Sequence, residues 1–502
     1  MTTDSARIHA GLGGIATSVD VLVVGLGITG AGVALDAAAR GLSVLAVDAH
    51  DVAFGTSRWS SKLVHGGLRY LATGQLGIAY ESAKERAILI DTTAPHLVRP
   101  LGSLIPLTED ISTRNALLSS LGIRAGDALR IAARTPRRTL PPPRRISAAE
   151  ARRLAPGIKA DGLRGALLYW DGQAEDDARL VTCIARTAAA HGAVVRTRAR
   201  VLSATGTSAV LRDEVTGGEV EIAARAVINA TGVWADTLAE DIRLRPSRGT
   251  HLVLRADRLG RPRTTVNVPV PGSGSRWVFA IPQSDGTVFV GLTDEPAADV
   301  PDVPQPSEEE VDFLLTVMSR GLEMPLTRAD IVGTFAGLRP LLDAHGSTED
   351  LSRKHAVHTS PSGVITIVGG KLTTYRRMAE DAVDATGLTD KPSPTAHLPL
   401  LGAANRSVLA AVQAPERLVR RFGTEAPAVL ASAVTTSGLT EDELVAPGPR
   451  GVTLAELIFG VTHEGAADVE DLLDRRTRIG LIPADREAAI PWAHRALTLT
   501  RS

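Results

Sequence analysis

Residues 19–48 read VDVLVVGLGITGAGVALDAAARGLSVLAVD. Val19 to Val24 is a short valine-rich run, and Gly25, Gly27 and Gly30 follow it in G-x-G-x-x-G spacing. A helical segment with few charges runs to Arg40 and ends at Gly41, and a second valine-rich run closes on Asp48. Strand, glycine turn, helix, strand and acid in this order form a dinucleotide fingerprint. The turn glycines let a backbone approach a pyrophosphate, and the helix N-terminus offers N–H groups to that anion. Asp48, about 20 residues past the glycines, is placed to accept hydrogen bonds from ribose hydroxyls. Taken alone, these residues allow NAD or FAD.

The chain of 502 residues is long enough for two or three domains. Its 44% hydrophobic and 22% charged residues suit a globular protein, and a net charge of -1 gives no global field for nucleic acid. The single cysteine, Cys183, excludes an internal disulfide and a cysteine metal cluster, and no metal site is expected. Residues 19–35 are apolar, but glycines interrupt them and they are too short to span a bilayer, so neither a signal peptide nor a membrane span is read there.

The next stretch, 54–70, is dense in donors. Thr56, Ser57, Ser60, Ser61, Lys62, Leu63, His65, Gly66 and Gly67 read as a loop wrapping a polyanionic cofactor, together with Ile28 and Thr29 of the glycine turn. Arg69 and Tyr70 then set a guanidinium beside a phenol. Residues 111–159 are rich in arginine, among them Arg137, Arg138, Arg144 and Arg145. Such a stretch suits either an anionic lipid surface or a solvated helical hairpin, and nucleic acid is not expected.

Two later segments look like strand ends returning to the first fold. One carries Ala230, Thr231 and Gly232; the other carries Gly370, Lys371, Leu372 and Thr373 at the opening of a helix. With the serine-rich loop, these returns point to FAD. Residues 245–295 read as mainly β, with His251 on an alternating strand and a hairpin at 284–286. Ser307 and Glu310 form a capping box ahead of a helix. Arg339 lies in an apolar surround. From about residue 392, helical segments at 405–422, 426–437, 453–464 and 469–477 form a separate cap.

Several quoted runs together resemble the aerobic, FAD-dependent glycerol-3-phosphate dehydrogenase family over nearly the whole chain. They are GLGITGAG (25–32), TSRWSSKLVHGGLRYL (56–71), WDGQAEDDARLV (170–181), INATGVWAD (228–236), RGTHLVL (248–254), GLTDEP (291–296), GLRPL (337–341) and GGKLTTYRRMAE (369–380). DLLDRRTRIG (471–480) is similar to that family's helical cap.

The resemblance implies an α/β flavoprotein. A glutathione-reductase-type, Rossmann-like FAD-binding domain is interrupted by an antiparallel-sheet substrate domain and followed by a helical C-terminal cap. The expected bounds are an N-terminal tail over 1–18, an FAD-binding domain over 19–390 (mainly 19–110, 160–236 and 330–390), an inserted sheet region over about 80–160 and 237–330, and the cap over 391–502. It implies oxidation of sn-glycerol 3-phosphate to dihydroxyacetone phosphate, electrons passed to a membrane quinone, and a peripheral place on the inner, cytoplasmic face of the cell membrane. The long internal insert of the related oxygen-using oxidases is missing, which favours a dehydrogenase. A homodimer is a candidate assembly.

By position, the family's substrate contacts fall on Arg69, Tyr70, His251, Arg339, Arg353 and Lys371. Arg69, Arg353 and Tyr70 would clamp a phosphate dianion, for which arginine suits best. His251 is the expected base, Arg339 would steady a developing alkoxide, and Lys371 would bring positive charge to the flavin. The alternative is a related FAD enzyme acting on another hydroxy acid or an amino acid.

Overall fold

A computed structural model describes residues 6–67, 75–108, 113–273, 276–342 and 355–501, with the backbone alone over 113–121. The expected contacts Arg69, Tyr70 and Arg353 lie outside the described residues.

Valine-rich runs fit a strand buried on both faces, because branched side chains suit a pleated surface. The run Ser18–Val24 pairs in parallel with Val44–Val47 on one side and with Glu219–Asn229 on the other. Val194–Thr197 extends the sheet beyond Val44–Val47, and Ile365–Val368 pairs with Ile228 and Asn229. Three strands far downstream, Val194–Thr197, Glu219–Asn229 and Ile365–Val368, therefore extend the sheet begun by the fingerprint. An antiparallel flank, Ala199–Ala204 and Ser208–Asp213, continues the other half of Glu219–Asn229.

Helix Ile28–Ala39 is buried from Gly30 to Ala38, which explains its lack of a polar face. It packs against helices Asp177–Ala190 and Tyr375–Asp384. Gly32 allows the second contact, since a Cβ there would stand 2.8 Å from the Tyr375 ring.

The second sheet runs Glu295–Pro296, Ser247–Arg255, Thr287–Gly291, Trp277–Pro282, Thr265–Pro269, Val98–Pro106, Ala166–Ala174 and Leu63–Val64, with Ile331–Arg339 added on Ser247–Arg255. Its pairs are antiparallel except where Thr265–Pro269 meets Val98–Pro106. Ala166–Ala174 and Ile331–Arg339 lie in stretches expected mainly for the cofactor domain, and Val98–Pro106 lies where the two expected ranges overlap, yet all three pair into this sheet. Side chains alternate across it. Leu252 and Leu254 join Val266, Val278, Val290, Leu314 and Met318 under helix Glu308–Ser319. Val253 faces the other way, with Ile281, Phe289 and Phe335. Helix Glu308–Ser319 starts in the capping box of Ser307 and Glu310.

The cap holds helices Arg406–Ala410, Glu416–Phe422, Ala426–Ser437, Glu441–Val445, Leu454–Glu464 and Pro483–Leu499. The single helix expected over 405–422 is divided, because Pro415 sits at the N-cap of Glu416–Phe422 and a proline cannot continue a helix. The run expected as a helix at 469–477 is helical, with π-helix geometry over Asp471–Arg476. Buried ion pairs fasten the cap to the first domain: Arg179 with Glu464, Arg186 with Glu425, and Arg421 with Asp176.

Candidate active site

The fingerprint turn follows the carboxyl end of the parallel strand Ser18–Val24, the end at which such sheets take their ligands. Gly25 sits at φ +97, and a Cβ there would stand 2.7 Å from the carbonyl oxygen of Ala230. The turn thus abuts the Ala230–Thr231 strand end, and Gly232 follows at φ +63 with open space over its Cα. Helix Ile28–Ala39 has no acid in its first turn and no side-chain cap from Gly27. Its positive end is left for an anion, with the Ser57 hydroxyl accepting from the Ile28 amide at 2.9 Å. The Thr56 hydroxyl donates to the Leu338 carbonyl at 2.6 Å and ties this loop to the second sheet.

Asp48 accepts the Leu26 amide on one carboxylate oxygen and the His50 amide on the other, both at 2.8 Å. Each oxygen keeps capacity for another donor. Burial pushes this carboxyl up to about 6, against the pull of the two amides. A cradle without Cβ atoms, an uncapped helix start and an acid poised for hydroxyls fit the pyrophosphate and ribose of FAD.

The reaction end gathers around His251. The ring is buried on strand Ser247–Arg255 and stacks on Phe335, with centroids 4.6 Å apart. Its Nε2 lies 2.8 Å from the Ser61 hydroxyl, while Nδ1 is buried without a hydrogen-bond partner among the described residues. Burial, then the cations Lys62 and Arg339, push His251 down to about 3, so the imidazole is neutral at physiological pH.

Arg339, at the end of the neighbouring strand, donates to Asp294 at 3.0 Å, the Ser247 hydroxyl at 3.1 Å and the Thr293 carbonyl at 3.2 Å. Its guanidinium is therefore fixed before any substrate arrives. Gly249 makes room for it, since a Cβ there would meet Nη2 at 2.5 Å.

Gly369 and Gly370 are both left-handed, at φ +82 and +68, a sequence of angles that requires glycine. They turn the chain from strand Ile365–Val368 into Lys371, whose Nζ donates to the Ser82 hydroxyl at 3.0 Å. The turn Leu372–Thr374 packs on helix Leu76–Ile88 and on Leu63–Val64. Lys371 is thus held on helix Leu76–Ile88, while the turn after it packs on the strand that follows Ser61 and Lys62. Thr373 is buried beneath this turn.

The remaining expected cofactor contacts divide. Ser60 and Lys62 direct their side chains to Asp177, by hydrogen bonds of 2.7 Å and an ion pair of 2.6 Å, with Lys62 fully buried. Gly66 donates its amide to Asp171, which also takes Arg86. A Cβ on Gly66 would collide with that guanidinium, so the Gly66–Gly67 turn is held from below. His65 lies between the two groups. Asp171, Asp177, Ser82 and Phe335 were not singled out in the sequence; Asp171 and Asp177 sit in the WDGQAEDDARLV run, while Ser82 and Phe335 carry no local signal.

Comparison with known proteins decides the family. The profile of the FAD dependent oxidoreductase family matches residues 20–376, and that of the C-terminal domain of alpha-glycerophosphate oxidase matches residues 393–499. Glycerol-3-phosphate dehydrogenase 1 of Mycobacterium tuberculosis is 51% identical over 510 residues, covering 99% of this chain and 98% of the relative. The chain belongs to the FAD-dependent glycerol-3-phosphate dehydrogenase family. A mitochondrial member from Arabidopsis thaliana is 34% identical, covering 94% of this chain and 81% of its own. The solved glycerol-3-phosphate dehydrogenase of Bacillus halodurans, complexed with FAD, is 30% identical with a TM-score of 0.72, covering 96% of this chain and 91% of that one. The L-alpha-glycerophosphate oxidase of Mycoplasma pneumoniae shares the fold at 19% identity, with a TM-score of 0.59 over 77% of this chain and 99% of that one. The protein is an FAD-dependent oxidoreductase of this family.

Proposed function

We propose that the enzyme oxidises sn-glycerol 3-phosphate to dihydroxyacetone phosphate. The observation that carries this reading is the buried ring of His251 on strand Ser247–Arg255, stacked on Phe335, with Nε2 2.8 Å from the Ser61 hydroxyl and the strand that ends in Arg339 beside it. Bound FAD supplies the acceptor for the hydride that leaves the alcohol carbon. The protein must take the hydroxyl proton, hold the phosphate and neutralise charge that develops on oxygen.

His251 takes the proton. A ring kept neutral always has a lone pair to offer, and a phosphate dianion bound nearby raises its basicity. Arg339, held by Asp294, stabilises the oxygen as its proton leaves. Arg69, Tyr70 and Arg353 clamp the phosphate, and Lys371 sets positive charge beside the flavin. Gly25, Gly27, Gly30, Asp48, Ser57, Thr231 and Gly232 hold the nucleotide half of FAD.

Electrons then pass to a membrane quinone, with the protein lying on the inner face of the membrane. Support comes from the exposed arginines Arg134, Arg137, Arg138, Arg144, Arg145, Arg152 and Arg153 and from the exposed apolar Leu76, Tyr80 and Ile131. No described helix is long and apolar enough to cross a membrane. The test is turnover of sn-glycerol 3-phosphate with a soluble quinone analogue or with dioxygen as sole acceptor. Equimolar dihydroxyacetone phosphate and quinol is the expected result; peroxide as the main reduced product would contradict it. Charge reversal at Arg137, Arg138, Arg144 and Arg145 should release the protein from anionic vesicles.

A further inference from the structure

Helix Asp177–Ala190 opens on two acids with different tasks. Asp176 caps the helix by accepting from the Arg179 amide. Asp177 turns outward to residues 60–62. One of its carboxylate oxygens accepts the Ser60 amide at 2.9 Å and the Ser60 hydroxyl at 2.7 Å. The other pairs with Lys62 Nζ at 2.6 Å, and both side chains of that pair are 1% exposed. Lys62 is left-handed, at φ +59, and Nζ also donates to the Arg58 carbonyl at 2.7 Å. The Lys62 amide closes the loop on the Ser60 hydroxyl at 3.0 Å.

Ser61 stands between these two clamped residues. Its hydroxyl turns the other way, to Nε2 of His251 at 2.8 Å. Lys62 Nζ also lies 5.4 Å from the centroid of the Phe335 ring that stacks on His251. One carboxylate therefore sets both the hydroxyl that meets the imidazole and the ammonium near the ring it stacks on.

We propose that Asp177 is a positioning residue for the reaction: by clamping Ser60 and Lys62 it holds the Ser61 hydroxyl on Nε2 of His251 and so fixes which ring nitrogen takes the substrate's proton. The proposal rests on the assignment of His251 as proton acceptor. A serine hydroxyl can donate to or accept from Nε2; the proposal takes Nε2–H as the donor, which leaves the lone pair on Nδ1, the nitrogen without a partner among the described residues. The alcohol O–H bond breaks, an N–H bond forms at Nδ1, and the ring becomes imidazolium with its second N–H still held by Ser61. A hydroxyl free to wander would let the ring flip or change tautomer.

The experiment follows flavin reduction by sn-glycerol 3-phosphate in stopped flow across pH, in FAD-loaded Ser61→Ala, Asp177→Asn and the double variant. FAD content and melting temperature are measured first. Each single variant should lose about 10- to 100-fold in the limiting rate. Apparent substrate affinity should change less than the rate, and the acid limb of the pH profile should move in the same direction in both. The double variant should lose no more than the worse single, because one chain of contacts is being cut.

Asp177→Asn unpairs a buried lysine, so Ser60→Ala serves as a second variant that keeps the ion pair. It should move the acid limb in the same direction by less. The proposal is overturned if Ser61→Ala keeps the wild-type rate and profile, if the two single losses multiply, or if Ser60→Ala and Asp177→Asn leave the profile in place. Failure of the wild-type flavin to respond to this substrate would contradict the substrate assignment instead. The clamp is then decided by the same pH profiles with whichever alcohol reduces the flavin.

Discussion

Arg476 and Asp51 are joined by two parallel hydrogen bonds of 2.8 Å across a sequence separation of 425 residues. Arg475 donates to the same carboxylate at 2.6 Å. All three groups are buried, and Asp51 stands three residues after the ribose acid Asp48. The cap thus grips the loop that follows Asp48, the acid proposed to receive the ribose of FAD. The two guanidiniums hold the Asp51 carboxyl well below its ordinary range despite its burial.

Removing that acid takes from two buried cations the carboxylate they share, leaving Asp471 to Arg475 and Glu464 to Arg476. Asp51→Ala should therefore cost about 3–5 kcal/mol of stability, the range for breaking a buried pair. The checks are a denaturant midpoint and the FAD content after gel filtration; both should fall. A variant with normal stability and full FAD would show that the cap does not hold the loop.

Asp48 gives FAD retention a pH dependence. Its folded value of about 6 lies above the ordinary 3.8. In the cofactor-free protein this group favours folding at low pH, and that contribution is lost as pH rises from about 4 through 6. Ribose hydroxyls donate to the ionised form, so FAD affinity should move the opposite way, rising from pH 5 to pH 7. Titration of apoprotein with FAD by flavin fluorescence checks this. Asp48→Asn should bind more weakly and flatten the dependence.

The buried histidines act on stability. Burial pushes His96 and His251 down to about 3 and His463 to about 4, against 6.5 ordinarily. An unfolded chain protonates them below 6.5 while the fold does not. Their contribution is therefore complete above 6.5 and is lost as pH falls towards these folded values. Melting temperature should decline steadily from pH 7 to pH 5. His96→Leu should make the decline shallower, since burial is what holds that ring neutral.

Gly30 tests the glycine turn. A Cβ at this position would overlap the Gly25 carbonyl oxygen, and backbone cannot yield there without opening the strand-to-helix turn. Gly30→Ala should be purified without FAD and without activity, seen directly in its absorbance spectrum. A yellow, active Gly30→Ala protein would contradict the role given to the turn.

Much of this was legible in the sequence because local signals and the fold agree. The fingerprint needs only neighbours in the chain, and the capping box of Ser307 and Glu310 is written in four residues. The alternation that sets Leu252 and Leu254 against the helix leaves His251 on an odd position of the same strand. The clamp of Asp177 on Ser60 and Lys62 was not legible, because it joins loops more than a hundred residues apart. Lysine and serine near a ribose acid suggest phosphate contacts, and only the fold shows Lys62 turned inward to a carboxylate. The grip of Arg475 and Arg476 on Asp51 was hidden for the same reason. Strand membership was ambiguous too: Val98–Pro106 and Ala166–Ala174 carry no mark of which sheet they join.

The central claim is that this protein's flavin is reduced by sn-glycerol 3-phosphate through His251. The most direct measurement is an anaerobic titration of the FAD-loaded protein with that substrate, followed by flavin absorbance. The account predicts rapid, complete bleaching by sn-glycerol 3-phosphate, none by glycerol, and a rate strongly reduced in His251→Gln. A flavin that stays oxidised with this substrate while another hydroxy acid or an amino acid bleaches it would contradict the account.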